Sequence, residues 1–153
     1  MWQLACWQVG LVVDVSNPPL PAAVVTGRQW QGHAAREVFA CALHPLGFGF
    51  GEPLPDGVRD YAVEVRSHAD QFFGPSPEAA ATAWVDAERR LSQADLISAE
   101  GLPARRLVRV GEPWATCRDG VITALVTGGS AAVVVGGDTD QITRIADSER
   151  ART

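Results

Sequence analysis

Apolar and polar residues alternate with two different periods along the chain, and this pattern predicts a series of short helices and strands. Apolar side chains recur at helical spacing over residues 1–9 and 115–126, and in the second helix Val121, Ile122 and Leu125 are expected to face inward. Two further helices are predicted at 77–96 and 139–150. Alternating or β-branched runs predict strands at residues 11–15, 22–26, 38–43, 60–66, 106–110 and 131–135.

Helices and strands alternate in the predicted order, and Gly-rich turns separate them. The clearest example runs from the helix at 115–126 through Gly128-Gly129 to the apolar strand at 131–135, which is expected to be buried. Such an order is typical of an α/β fold with a mainly parallel sheet flanked by helices. Because the chain has 153 residues, we expect residues 1–153 to form a single α/β domain.

The helix predicted at residues 1–9 begins on the first residue, and no capping residue precedes it. We therefore expect that the natural protein has additional sequence before this helix and that strands are missing from the front of the fold. The missing strands would leave an apolar sheet face exposed near Trp2 and Trp7. A protein partner or a second copy of the chain is expected to cover such a face.

Charge narrows the choice of partners and mechanisms. The net charge is −5, and all 13 basic residues are arginine. A chain without lysine cannot form a lysine Schiff base or use a P-loop lysine, and an acidic chain is not expected to bind nucleic acid non-specifically. Arg105, Arg106 and Arg109 form a basic cluster. We interpret this cluster as the solvated start of a strand, with phosphate binding as the alternative.

The cysteines and the apolar runs of the chain indicate in which cellular compartment the protein is expected. The three cysteines, Cys6, Cys41 and Cys117, are far apart in the sequence, and the first residues do not resemble a signal peptide. Reduced thiols in a cytoplasmic protein are therefore expected. No apolar run approaches the ~18 residues that span a bilayer, so we expect no membrane association.

Few residue pairs have the spacing that catalysis or metal binding requires. Cys41 and His44 are three residues apart on a predicted strand, where alternation directs them to opposite faces. Ser130 follows two glycines at a helix-to-strand turn, which is the reverse of a nucleophile elbow. The three histidines lack the short ligand spacing of zinc sites. We therefore expect no metal site.

Two glycine-rich segments have the composition of phosphate-binding loops. Residues 47–53 (GFGFGEP) lead into prolines instead of a helix, so they offer no helix N-terminus to an anion. Residues 136–139 (GGDT) lie between a predicted strand and a predicted helix. An anion could bind there, although helix capping also explains Asp138 and Thr139.

Three segments in a fixed order carry a family resemblance. Residues 2–18 (WQLACWQVGLVVDVSNP) form a helix–Gly–strand pattern, residues 22–26 a further strand, and residues 105–135 a strand, a Pro-aromatic turn, a helix, Gly-Gly and a strand. In this order they resemble the adenylate-forming superfamily of acyl-CoA synthetases and AMP-dependent ligases. The whole chain also resembles a small, uncharacterised actinobacterial family distantly similar to these AMP-binding enzymes, through FACALHPLG (39–47), PDGVRDYAVEVR (55–66) and DSER (147–150).

The resemblance implies the fold of part of the large N-terminal domain of these enzymes, and the departures from their pattern imply that the chemistry is lost. In the family, a Ser/Thr/Gly-rich loop ending in Pro-Lys-Gly grips the ATP phosphates after the strand that corresponds to residues 61–65. Here residues 67–75 (SHADQFFGP) take that place, and Ser67 and Gly74 alone could stand in for the loop. The ribose-binding Asp, the magnesium-binding Glu and the C-terminal domain with its catalytic lysine have no counterpart.

These observations favour a truncated, non-catalytic relative of the AMP-binding domain, a pseudoenzyme that acts by binding or by protein partnership and needs no cofactor. One alternative is a nucleotide or acyl-CoA sensor, in which ATP or AMP would contact Ser67, Gly74, Asp138 and Thr139. Another alternative is a small enzyme of unrelated chemistry that uses His44, His68, Asp60 or Cys41. The first hypothesis is preferred because no acid–base or nucleophile pair has suitable spacing.

Overall fold

A computed structural model describes residues 2–98 and 100–152. Its internal contacts divide the chain into two compact units. The first unit contains Trp2 and residues 17–75, and the second contains residues 3–16 together with residues 76–98 and 100–152. This division of contacts does not test the expectation of one domain over residues 1–153.

Short helices and strands alternate along the chain. In chain order they are α1 (Trp2–Gln8), β1 (Val13–Asp14), β2 (Ala23–Thr26), β3 (Glu37–Ala40), β4 (Val58–Asp60), α2 (Tyr61–Glu64), a 3₁₀ turn (Val65–Ser67), β5 (Thr82–Val85), β6 (Arg90–Ser92), α3 (Gln93–Leu96), β7 (Arg105–Arg109), α4 (Pro113–Cys117), a π turn (Arg118–Ile122), α5 (Thr123–Thr127), β8 (Ser130–Val134) and α6 (Thr139–Glu149). The fold is therefore mixed α/β, with small parallel and mixed sheets flanked by helices.

A parallel sheet lies at the centre of the first unit. Its strand order is β2-β3-β4, and each neighbouring pair is parallel. Val38 and Ala40, on the middle strand, are buried. The Trp2 ring packs on those of Phe39 and Tyr61, with ring centroids 5.7 and 4.8 Å apart. Trp2 is therefore half-buried within the first unit.

Two sheets form the second unit. In the first of them, β5 pairs in parallel with β1 and antiparallel with β6. In the other, β7 and β8 are parallel, and the helical segment at residues 113–127 connects them in a β–α–β unit. The main apolar core contains Trp7, Ala83, Trp84, Leu96, Cys117 and Ile122. A second cluster, of Leu107, Ile142 and Ala146, packs α6 on β7.

The helix predicted at 77–96 is wrong, because this segment forms a β-hairpin followed by α3. The carboxylate of Asp86 accepts hydrogen bonds from the amides of Glu88 (2.8 Å) and Arg89 (2.7 Å), and these bonds close the turn between β5 and β6. Trp84 and the β-branched residues beside it favour the strand that precedes this turn. The helical spacing of the apolar residues is therefore overridden by the turn and by strand pairing.

The strand predicted at 60–66 is also wrong, because strand β4 ends at Asp60 and a helical turn follows. The Asp60 side chain accepts hydrogen bonds from the amides of Ala62 (2.9 Å) and Phe50 (2.7 Å), so it caps α2. A capping carboxylate at this position competes with continued strand pairing. The alternation of Tyr61, Val63 and Val65 therefore does not produce a strand.

The other predicted elements are confirmed in type with shifted ends, except that residues 118–122 of the helix predicted at 115–126 form a π turn. The strands at 11–15 and 38–43 are shorter than predicted, as β1 and β3. Strand β8 pairs in parallel with β7 as expected, but its residues are half-buried or exposed instead of buried. No helix of the described residues combines the length and the apolar character needed to cross a bilayer.

Candidate functional site

An apolar groove of about 350 Å³ lies on the surface of the second unit. We call it the apolar groove, and its lining residues are Leu4, Trp7, Gln8, Pro77, Gln93, Leu96, Ile97, Ile122, Leu125 and Val126. None of these residues is charged, although charged residues make up 20% of the chain. A continuous surface of this kind is typical of a contact site on a protein.

Hydrogen bonds fix the walls of the apolar groove. The indole Nε1 of Trp7 donates to the carbonyl of Ala83 (2.8 Å), so the buried ring is anchored to strand β5. The side-chain amide of Gln93, at the start of α3, donates to the carbonyl of Trp7 (3.2 Å). The side chains of α1 and α3 are thereby held next to each other.

The third wall of the groove comes from the π turn and α5. A π turn has one more residue than an α-helical turn, so it changes which side chains face the core. Ile122, the last residue of this turn, is buried, whereas Leu125 is 61% exposed. The prediction that Leu125 faces inward is therefore wrong, because helical spacing alone does not anticipate a π turn.

Protruding and buried apolar side chains lie side by side in the groove. Ile97 and Leu125 are 71% and 61% exposed, while Trp7, Leu96 and Ile122 are each less than a tenth exposed. The buried residues form the floor, and Ile97 and Leu125 stand on the rim together with the less exposed Leu4 and Val126, at 38% and 39%. The surface therefore offers both a recess and the side chains that would fill one.

The expected apolar face near Trp2 and Trp7 differs from this surface in detail. Trp7 lines the floor of the groove, but its ring is buried and hydrogen-bonded. Trp2 belongs to the first unit, where it packs on other aromatic rings. The sequence did not predict that Ile97 and Leu125 protrude, and it placed Leu125 inward, because their exposure depends on tertiary packing.

A second cavity, of about 620 Å³, runs along β7 in the second unit. We call it the arginine pocket, and its lining residues are Leu102, Ala104, Arg106, Leu107, Val108, Arg109, Gly111, Glu112, Ala115, Thr116, Asp119 and Arg152. The predicted basic cluster at the start of β7 thus contributes two of its arginines to one pocket. Arg152 is far from them in the sequence, so no local pattern could have linked it to this site.

Ser67 and Gly74, two of the predicted nucleotide contacts, lie in the first unit. The hydroxyl of Ser67 donates to the carbonyl of Glu64 (2.8 Å) at the end of the 3₁₀ turn. A side chain at Gly74 would collide with the ring of Phe72. Both positions are therefore occupied by local interactions, and their contact with a nucleotide stays a prediction.

Asp138 and Thr139, the other two predicted contacts, lie in the second unit, where α6 begins. The Asp138 carboxylate accepts from the amide of Gln141 (2.8 Å), and the Gln141 side chain accepts from the amide of Asp138 (3.0 Å). This reciprocal pair is a capping box. The four predicted residues are therefore divided between the two units, two in each.

Two of the groups considered for catalysis, His44 and Asp60, are held in local contacts. Leu46 donates its amide hydrogen to Nδ1 of His44 (3.1 Å), and the His44 ring packs on Phe48. The Asp60 carboxylate caps α2, and the His68 ring is exposed. Among the described residues, no group of three His, Cys, Asp or Glu side chains could hold a metal ion.

Burial lowers the reactivity of two thiols. It raises the pKa of the Cys6 thiol above its ordinary value and raises that of Cys117 to about 11. Only the thiolate is a good nucleophile, and burial in apolar surroundings disfavours the charged form. Cys6 and Cys117 are therefore suited to packing in the second unit and not to nucleophilic attack.

Comparison with known proteins gives no match: no protein-family model, no curated protein and no solved structure is significantly similar to this chain.

Proposed function

We propose that this chain is a non-catalytic protein that acts through protein partnership, and that a second copy of the chain occupies the apolar groove. The observation that carries the proposal is the groove itself, in which no lining residue is charged and two rim side chains protrude. Burying one aliphatic side chain completely is worth about 1.5–3 kcal/mol. The rim residues Ile97 and Leu125 would supply part of that energy in each copy.

Two features favour a second copy as the partner. In an isologous contact the same surface serves both subunits, so it must offer both protruding side chains and the recess that receives them. The apolar groove offers both. The chain also carries a net charge of −5, so two copies approach with least repulsion through a face without charges.

The experiment measures molar mass by light scattering after gel filtration, for the wild type and for Leu125→Arg. We expect a dimer for the wild type and a monomer for the variant, because the new charge would lie in the contact. Val135→Arg is the matched control, since Val135 is also exposed, at 83%, and does not line the groove.

Several results would overturn the proposal that a second copy of the chain occupies the apolar groove. One is a monomeric wild type over the whole concentration range, and another is a dimer that Leu125→Arg leaves intact. A third is a different protein that co-purifies with the wild type and is lost with Leu125→Arg. That last result would keep the partnership and replace the partner.

The relationship to adenylate-forming enzymes is part of the same proposal. In residues 105–135, strand β7 is followed by a helix that begins at Pro113-Trp114, then by Gly128-Gly129 and the parallel strand β8. This order supports the resemblance to a fragment of the AMP-binding domain. The raised thiol pKa of Cys117 supports a role without nucleophilic catalysis.

A nucleotide or acyl-CoA sensor is the second candidate, and one observation favours it. The loop at Gly136–Thr139 follows the carboxyl end of β8 in a β–α–β unit, which is where open α/β sheets bind ligands. Isothermal titration calorimetry with ATP, AMP and acyl-CoA in the presence of magnesium tests this role. Saturating heat from one of them supports it, and the absence of heat from folded protein excludes it.

A further inference from the structure

The segment that follows α6 brings a third arginine, Arg152, to the arginine pocket. Helix α6 ends at Glu149, and Arg150 turns the chain with a positive φ of 51°. Arg152 then donates its amide hydrogen to the carbonyl of Arg105 (2.8 Å) and accepts from the amide of Leu107 (2.8 Å). These bonds place Arg152 in a parallel bridge with Arg106.

The bridge places two guanidinium side chains on the same face of β7. Residues paired across a bridge direct their side chains to the same face of a sheet. Arg106 and Arg152 both line the arginine pocket, and no described carboxylate lies within ion-pair distance of either. Two like charges at paired positions repel each other, and an anion between them would relieve that repulsion.

Other arginines of the second unit, in contrast, form ion pairs with carboxylates. Arg89 contacts Asp86 (2.7 Å) and Glu112 (3.0 Å), and Arg118 contacts Asp119 (2.7 Å). The two acidic residues of the arginine pocket, Glu112 and Asp119, are therefore already paired with arginines outside it. The hydrogen bond from Arg118 is the main cause that lowers the pKa of the Asp119 carboxyl, and the charge of Arg106 contributes to it. Arg106, Arg109 and Arg152, however, form no ion pair with any described carboxylate.

The backbone of β7 adds a hydrogen-bond donor to the same edge. In a parallel pair, the backbone groups of alternate residues point to the same side of a strand. Those of Arg105 and Leu107 point to Arg152, so the N–H of Arg109 points to the same edge, where no described residue accepts it. Arg109 therefore offers a guanidinium group and an amide hydrogen that no described residue accepts.

The apolar lining residues and the volume of the arginine pocket indicate what the ligand contains besides its anionic group. Leu102, Ala104 and Ala115 line the pocket beside the arginines. A volume of about 620 Å³ lies in the ordinary range for small-molecule sites, about 300–1,000 Å³. An inorganic anion alone would leave most of it unfilled, whereas an anionic head with a small apolar body would fill more.

We infer that the arginine pocket binds a small phosphate monoester, with its dianionic phosphate between Arg106 and Arg152 and its apolar body beside Leu102 and Ala115. Guanidinium groups bind phosphate through paired, charge-assisted hydrogen bonds. A polynucleotide fits less well, because the acidic chain would repel its long negative backbone. This site is separate from the apolar groove and does not depend on a second copy of the chain.

The test is isothermal titration calorimetry with phenyl phosphate, inorganic phosphate and phenol as probes. We expect phenyl phosphate to bind at one site, inorganic phosphate to bind more weakly and phenol not to bind. Arg106→Gln and Arg152→Gln should each weaken the binding of phenyl phosphate about tenfold or more. Arg144→Gln is the matched control, because Arg144 lies on α6 outside the pocket and should leave the affinity unchanged.

Three results would overturn the inference. They are no saturating heat from phenyl phosphate up to about 10 mM, equal affinity in the wild type and both pocket variants, and inorganic phosphate binding as tightly as phenyl phosphate. A single-stranded oligonucleotide that binds more tightly and displaces phenyl phosphate would also overturn it, in favour of nucleic acid. Urea unfolding of each variant establishes that it is folded, and Arg152→Gln carries the test should Arg106→Gln fail to fold.

Discussion

At the scale of single residues, Trp84 links the core of the second unit to a polar network. Its side chain is 1% exposed, yet its Nε1 donates to the carboxylate of Asp86 (2.8 Å). Asp86 also binds Arg89 (2.7 Å), which in turn binds Glu112 at the start of α4 (3.0 Å). The hairpin turn and the helix are thus tied together by one carboxylate and one guanidinium group.

We expect Trp84→Ala to lower the free energy of unfolding by about 3–5 kcal/mol, because it leaves a large cavity in the core. Trp84→Phe should cost less, since it keeps the ring and loses the hydrogen bond to Asp86. Urea unfolding measures both. Phe73→Ala is the control, because Phe73 is 89% exposed, and a change within about 0.5 kcal/mol is expected there. Equal losses for Phe73→Ala and Trp84→Ala would contradict this description of the core.

The carboxylates of this network predict how stability depends on pH. The hydrogen bond from Trp84 is the main cause that lowers the pKa of Asp86, and the amide of Ala115 is the main cause for Glu112. A group whose pKa is lower in the folded state contributes stability above its unfolded pKa. That contribution is lost as the pH falls through the folded value, below about pH 4.

We therefore expect the free energy of unfolding to fall between pH 6 and pH 3, and Asp86→Asn to reduce this fall. Urea unfolding at several pH values measures it. Asp70→Asn is a control on an exposed acid of the first unit. A wild-type stability that rises on acidification in this range would contradict the prediction.

Cys117 gives a further test at this scale. With a pKa of about 11, its thiolate population at pH 8 is about a hundredfold below that of an ordinary thiol, and burial restricts access as well. We expect iodoacetamide to label Cys117 at least about a hundredfold more slowly in the native protein than in urea. Labelling followed by mass spectrometry tests this, and equal rates in both conditions would contradict it.

At the scale of elements, the β–α–β unit depends on close approach at a glycine. A side chain at Gly129 would collide with the backbone of Ala104, the residue before β7. At Gly111, in the same unit, an added methyl group would meet nothing within 4 Å. Glycine is therefore required at position 129, because a side chain would overlap the backbone of Ala104, whereas position 111 has room for a side chain.

We expect Gly129→Ala to destabilise the second unit by about 1–3 kcal/mol, because the backbone must shift to relieve the overlap. Gly111→Ala should be neutral or slightly stabilising. Thermal unfolding measures both variants. A Gly129→Ala protein as stable as Gly111→Ala would contradict the close approach of Gly129 to Ala104.

Elements of this chain could be predicted where a local pattern and tertiary pairing agree. Helix α6 has a capping box at Asp138 and apolar residues on one face, and the sequence predicts it nearly to its ends. The helix predicted at 77–96 was wrong, because the turn that Asp86 closes favours a hairpin over the helix that the apolar spacing indicates. The π turn at Arg118–Ile122 was not predicted, because the apolar spacing of this segment is the same as that of an α-helix.

At the scale of the whole molecule, the candidate sites depend on contacts between distant segments. The apolar groove brings together α1, α3 and α5, and the arginine pocket brings Arg152 next to Arg106. The sequence predicted an apolar face near Trp2 and Trp7, of which Trp7 alone lines the groove, and a basic cluster at the start of β7. It could not predict which side chains protrude or which arginine completes the pocket, because both follow from tertiary packing.

The central claim, self-association through the apolar groove, is tested most directly by hydrogen exchange at low and high protein concentration. We predict slower exchange at high concentration in α3 and α5, which carry the rim residues Ile97 and Leu125 or lie beside them. Strand β3 of the first unit serves as the internal reference, with exchange unaffected by concentration. Exchange in α3 and α5 that does not depend on concentration would contradict the claim.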